Sequence, residues 1–185
     1  MVYLNVLYSM KFPGGFKKND ALKLYELAYF STGNILELGT NNGLSTSIMV
    51  QALSDSHKKY NLETVDLYHN EAKNNLRNIP GYELINFIVN DAKKVMDELI
   101  LDSRKFSLLF VDHNHSYEHT KEVIIRLEKL LNPNSFIIFH DYSDLVNVTK
   151  FPDEGVYQAI KDYLIPNTKF EFYGCFGCSA LFHFI

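Results

Sequence analysis

Short apolar runs alternate along the chain with longer stretches in which apolar positions recur three or four residues apart. The first such stretch, NDALKLYELAYF (19–30), opens with a capping Asn or Asp and sets Leu22, Tyr25, Leu27 and Ala28 at helical spacing. NILEL follows as a short strand, and a helix from about Ser45 carries Ile48, Met49, Ala52 and Leu53 on one side. LETVDLY (62–68), ELINFIV (83–89), FSLLFVD (106–112) and SFIIFHD (135–141) read as further strands. Between them, HNEAKNNLRNI, DAKKVMDELI and residues Tyr117 to Leu131 read as helices, the last with Val123, Ile124, Leu127, Leu130 and Leu131 as its buried stripe. EGVYQAIKDYLI is helical, Pro166-Asn167 turns, and TKFEFYG and SALFHFI close the chain as a hairpin.

Strands alternating with helices imply βαβ units and a parallel sheet covered on both faces. The closing pair, joined by a short glycine turn, must be antiparallel. The expectation is an α/β, Rossmann-like, mostly parallel seven-stranded sheet ending in an antiparallel hairpin. In such sheets ligands bind at the carboxyl ends of the strands. Residues 19–185 read as one domain, preceded by a segment 1–18. That segment, with Tyr3, Tyr8, Phe12 and Phe16, could fold over a pocket as a lid hinged at Gly14-Gly15.

With 46% apolar and 14% aromatic residues, 185 residues can build a substantial core. The net charge of −4 and the isolated Lys17-Lys18, Lys58-Lys59 and Lys93-Lys94 doublets exclude a basic nucleic-acid face. No apolar run is long enough for a membrane helix, and MVYLNVLYSMKFPGG lacks the features of a signal peptide, so the expected location is cytoplasmic. Cys175 and Cys178 form a C-x-x-C at the hairpin turn. Without a second Cys pair they read as two ordinary thiols.

Acids mark the ends of all five leading strands: Glu37, Asp66, Asp91, Asp112 and Asp141. Asp91 suits a helix cap. Glu37 does not, because it precedes the glycine loop Gly39-Thr40-Asn41-Asn42-Gly43. That loop matches neither the phosphate-loop nor the dinucleotide glycine pattern. The rim therefore suits a nucleoside without phosphates that carries positive charge. An ammonium would sit near Glu37, directly or through water. Ribose hydroxyls would donate to Asp66, and an adenine amino group to Asp91. S-adenosylmethionine (SAM) has these features.

At these residues the chain resembles the class I SAM-dependent methyltransferases, and within them the cephalosporin-hydroxylase-like and macrocin-O-methyltransferase-like branch. ELGTNNGLST is similar to the first motif, VDHNHSYEHT to the segment after the fourth strand, FHDYSD to the segment after the fifth, and EGVYQAI to a following helix. The resemblance implies a methyltransferase domain over 19–185 that transfers a methyl group from SAM to a small hydroxylated acceptor. It implies cofactor contacts from Glu37, Gly39, Thr40, Asn41, Gly43, Ser45, Asp66, Asp91, Ala92 and Asp112. It also implies a divalent metal such as Mg2+ on Asp112, His140 and Asp141, and catalytic roles for Asp112, His115 and His140.

The chain departs from the family pattern at two points. Asn114, which cannot take a proton, stands where some relatives carry a carboxylate that acts as the base, and His115 one position further can accept a proton. Asn134-Ser135 replaces a glycine pair before the fifth strand. His113, His115 and His119 also invite a zinc reading, against which His113 and His119 read as exposed polar residues. Tyr117 and Tyr142 could line an acceptor pocket. Two other function classes stay open: a SAM-binding protein without catalysis, and a nicotinamide-dependent oxidoreductase. The acceptor is the expected partner, and a homodimer is left open.

Overall fold

The computed structural model describes residues 16–151 and 153–185. The expected lid and its hinge lie outside the described residues, apart from Phe16 and the start of the first helix.

Strands and helices alternate through the first four strands. Helix α1 (Lys18–Phe30) leads into β1 (Ile35–Leu38), α2 (Leu44–Asp55) and β2 (Leu62–Asp66). Next come α3 (Asn70–Leu76), β3 (Ile85–Val89), α4 (Ala92–Leu101) and β4 (Phe106–Val111). Then follow α5 (Tyr117–Ile124), α6 (Leu127–Leu130), β5 (Leu131–Phe139), α7 (Leu145–Thr149) and α8 (Val156–Ala159). Helix α8 widens into a π-helical turn over Ile160–Leu164, and β6 (Phe170–Phe176) and β7 (Ser179–Phe184) end the chain. All seven strands form one sheet in the order β3-β2-β1-β4-β5-β7-β6. The first five pair in parallel, and β7 runs antiparallel to both β5 and β6. This is the Rossmann-like architecture with a closing hairpin that the pattern predicts.

Every residue of β1 and β4 is buried, as expected of central parallel strands covered on both faces. Alternation along β1 sends Leu36 and Leu38 into the core formed with α4, α5 and α8, and Ile35 into the core formed with α1 and α2. Glu37 points to the same side as Ile35, beneath α2. A charged group in that place needs partners, and it has them.

Two boundaries differ from the expectation. The predicted helix from Tyr117 to Leu131 breaks after Ile124. Arg126 holds the break: its guanidinium donates to the Glu122 carbonyl and carboxylate on one side and to Asp97 on the other. Strand β5 begins at Leu131 and not Ser135, because NPNS is carried inside the strand. Asn134 takes the left-handed conformation (φ 64) that the glycine pair of relatives would supply, and Asn tolerates it. Among the described residues, no helix is long and apolar enough to cross a membrane.

Candidate functional site

The sheet order reverses between β1 and β4, and the loops after these two strands meet there. Gly39 follows β1 with φ 101, and a Cβ on it would lie 2.0 Å from the Asp112 carbonyl oxygen. Only glycine lets the two strand ends approach this closely.

The loop then wraps an acid on each side. The backbone N–H groups of Thr40 and Asn41 donate to Asp66 Oδ2 at 2.9 and 2.8 Å, and Leu67 N–H donates to Oδ1 at 2.7 Å. Glu37 lies under the loop, wholly buried, and accepts hydroxyl bonds from Ser45 (2.5 Å), Thr46 (2.6 Å) and Thr64 (2.6 Å). Burial pushes its carboxyl up to about 7, against the pull of those three hydroxyls. Glu37 lines neither cavity at the site. Ser45, which donates to it, lines the smaller one.

Two cavities open on this edge. The larger, of about 550 Å³, lies over the ends of β2, β3 and β4 and is lined by Asp66, Asp91, Ala92 and Asn114, with His113 and His119 on its far wall. The smaller, of about 300 Å³, is lined by Thr40, Asn41 and Ser45 on one side and by His115, His140, Asp141 and Phe16 on the other. They share Gly39 and Asp112. Asp91 lines the larger cavity and also caps α4, its Oδ1 accepting from Lys94 N–H at 3.1 Å.

Around the smaller cavity two carboxylates and two imidazoles converge. His115 Nε2 lies 3.3 Å from both Asp112 Oδ1 and Asp141 Oδ2. His140 Nδ1 lies 3.1 Å from Asp112 Oδ1 and 3.2 Å from Asp141 Oδ1. Asp141 holds a left-handed backbone (φ 58), an uncommon conformation that turns its side chain back toward the cluster. Burial opposes charge on every member, but the pairing outweighs it. The imidazoles hold Asp112 and Asp141 below the usual carboxylate range. The hydrogen bond to Asp112 raises His115, and bonds to Asp112, Asp141 and the Cys178 sulfur push His140 up to about 12.

The expected metal set of Asp112, His140 and Asp141 converges at His140 Nδ1, and two further groups of ligand atoms lie beside it. Asp112, His115 and Asp141 present ligand atoms within 4.8 Å of one another, and so do Asp20, His140 and Cys178. His113, His115 and His119 do not gather as a zinc site. His115 turns toward the carboxylates, while His113 and His119 meet edge-on with ring centres 6.3 Å apart. His113 is only partly exposed, contrary to the expectation. Burial and the neighbouring His119 and His115 lower it to about 4, so its ring is neutral. Asn114 serves the turn before α5, accepting from Ser116 N–H. Tyr117 and Tyr142 line neither cavity and pack instead against Phe151 and Tyr163, and against Tyr157 and Phe172.

Three residues at the site escape sequence reading. Glu154, beyond α7, brings a carboxylate oxygen to 3.9 Å from His115 Nδ1. Asp20 reads as a helix cap, and Cys178 as an ordinary thiol at a turn. Cys175 is exposed, but Cys178 is buried with its sulfur 3.3 Å from His140 Nε2. Only the antiparallel docking of β7 on β5 places it there, and no local signal encodes that docking.

The fold is found among known proteins. The O-methyltransferase TomG from Streptomyces achromogenes, solved in complex with SAM, superposes with a TM-score of 0.75 at 17% identity, over 91% of this chain and 81% of that one. An O-methyltransferase from Bacillus cereus in complex with SAH gives a TM-score of 0.75 at 16% identity, over 98% and 88%. In sequence, the chain is 26% identical over 110 residues to malonyl-[acyl-carrier protein] O-methyltransferase 2 of Ilyobacter polytropus, a match covering 59% of this chain and 39% of that protein. A family described as a methyltransferase domain matches residues 36–142, from the middle of β1 past the carboxylate–imidazole cluster. The chain belongs to this family, the class I SAM-dependent methyltransferases.

Proposed function

We propose that the protein is a SAM-dependent O-methyltransferase acting on a small hydroxylated molecule. The observation that carries this reading is the meeting of two cavities at Gly39 and Asp112. The larger suits the nucleoside, and the smaller suits the cofactor's amino-acid end along its Thr40–Ser45 wall and an acceptor along its wall of His115, His140 and Asp141, with the methyl group at the junction.

The residues fit the cofactor chemically. Asp66 accepts from the backbone N–H groups of Thr40, Asn41 and Leu67 and weakly, at 3.4 Å, from Tyr68, and it lines the larger cavity, where a ribose hydroxyl can donate to it. An acid-lined rim without lysine on the loop favours a cationic ligand over a phosphorylated one. Asp91 and Ala92 floor the adenine end, and Gly39, Thr40, Asn41, Gly43 and Ser45 frame the amino-acid end. Glu37 acts through Ser45.

In the reaction an acceptor oxygen attacks the sulfonium methyl carbon. A C–O bond forms as the C–S bond breaks, and the sulfur leaves as a neutral thioether. The protein aligns the two atoms and takes the acceptor proton. His115 receives that proton, with Asp112 and Asp141 stabilising the imidazolium at 3.3 Å. A specific arrangement favours metal assistance as a second reading: Asp112, His115 and Asp141 would hold a divalent ion such as Mg2+, which would lower the pKa of an acceptor hydroxyl. The test is transfer of labelled methyl from SAM to catechol-like and sugar acceptors, with and without a chelator. Transfer that survives chelation supports His115 as the base. Transfer that needs Mg2+ supports the ion. No transfer to any acceptor, with SAM bound, would leave a cofactor-binding protein.

A further inference from the structure

At the back of the smaller cavity, Cys178, His140 and Asp20 form a second, buried group, brought together from the hairpin turn, the end of β5 and the first turn of α1. The Cys178 sulfur is 3.3 Å from His140 Nε2, 3.6 Å from Asp20 Oδ2 and 3.6 Å from Asp141 Oδ1. A sulfur, an imidazole nitrogen and a carboxylate oxygen, three kinds of atom that zinc prefers, thus lie within 4.8 Å of one another in a buried place.

The geometry points to a thiolate site for a soft divalent cation, Zn2+ or a close relative, held by Cys178 Sγ, His140 Nε2 and Asp20 Oδ2. Zinc lies about 2.3 Å from sulfur and about 2.0 Å from nitrogen or oxygen, so the edges of its tetrahedron run to roughly 3.3–3.6 Å, as the contacts to this sulfur do. His140 is oriented as metal-bound imidazoles are: carboxylates take Nδ1 and leave Nε2 to the ion. Asp20 is equally fixed. Cys178 N–H, Ser179 N–H and the Ser179 hydroxyl all donate to Oδ1, while Oδ2 carries Lys17 N–H and faces the sulfur. A Cβ on Gly177 would lie 2.2 Å from Asp20 Oδ2, so glycine is what lets the turn close around this carboxylate. Binding expels the thiol proton and the proton on Nε2, leaving thiolate and neutral imidazole as ligands. The site is distinct from the oxygen-rich group on the cavity side and ties three segments distant in sequence into one clamp.

Cobalt titration of the purified, metal-free protein reads the site without any activity assay. One equivalent of Co2+ should give the near-ultraviolet sulfur-to-cobalt charge-transfer band. Cys175→Ser should keep the band, and Cys178→Ser should lose it while retaining wild-type circular dichroism. A wild type without the band overturns the proposal. So does a band that survives in Cys178→Ser, or cobalt bound only through the residues lost in Asp112→Ala. Should Cys178→Ser fail to fold, X-ray absorption on the zinc-loaded wild type decides instead. A sulfur shell at about 2.3 Å is expected, and its absence contradicts the site.

Discussion

Ser45 and Glu37 are joined across the glycine loop by a 2.5 Å hydrogen bond, the carboxylate wholly buried and the serine facing the smaller cavity. The acid that opens the motif is therefore a keystone under the loop. Its carboxyl stands at about 7 against an ordinary 4.5, which makes ionisation in the fold cost about 3 kcal/mol. Between those two values the folded chain binds more protons at this position than the unfolded chain does. This group's contribution to stability is therefore present at low pH, falls as pH rises through that window and levels off above about 7. Glu37→Gln should flatten that slope. Urea unfolding at a series of pH values checks it, and equal slopes in both proteins would refute the assignment.

Gly39→Ala should destabilise the fold. The new methyl group has the Asp112 carbonyl 2.0 Å away and a left-handed backbone beneath it. A loss of about 3 kcal/mol is expected. Denaturant midpoints measure it, and SAM affinity should fall with the fold.

His115→Gln should lower kcat about 100-fold or more while leaving SAM affinity within about twofold, because the ring lies on the acceptor side. Steady-state kinetics and calorimetry separate the two quantities. A change confined to SAM affinity would move His115 to the cofactor side.

Arg126→Ala removes the bonds to Asp97 and Glu122 at the break between α5 and α6. These are largely surface pairs, although the guanidinium also closes an open carbonyl. A loss of about 1 kcal/mol with unchanged SAM binding is expected from thermal and calorimetric measurements.

The fold was legible because β1 and β4 are short, largely apolar runs and an acid stands at or near the end of each parallel strand. Short apolar runs between helical stretches announce such strands locally. The acidic rim of the larger cavity was legible for the same reason. Asp66, Asp91 and Asp112 fall at strand ends, and strand ends are where such sheets bind ligands. The break at Arg126 was not legible, since Val123, Ile124, Leu127, Leu130 and Leu131 keep helical spacing straight through it. Nor was the partnership of Asp20, His140 and Cys178. Their positions in the sequence are joined only by tertiary packing, and Asp20 alone carries an innocent local explanation as a cap. The burial of Glu37 was half legible: its place before the loop set it apart from a cap, but the three hydroxyls that enclose it come from two different elements.

The most direct test of the account is calorimetric titration of the wild type and Asp66→Ala with SAM. Asp66 holds the Thr40 and Asn41 backbone on one side and faces the larger cavity on the other. The account predicts SAM binding by the wild type and at least a tenfold weaker affinity in Asp66→Ala, about 1.4 kcal/mol or more, with the circular dichroism of the two proteins alike. A wild type that does not bind SAM, or a variant that binds it as tightly as the wild type, would contradict the placement of the cofactor in this cleft.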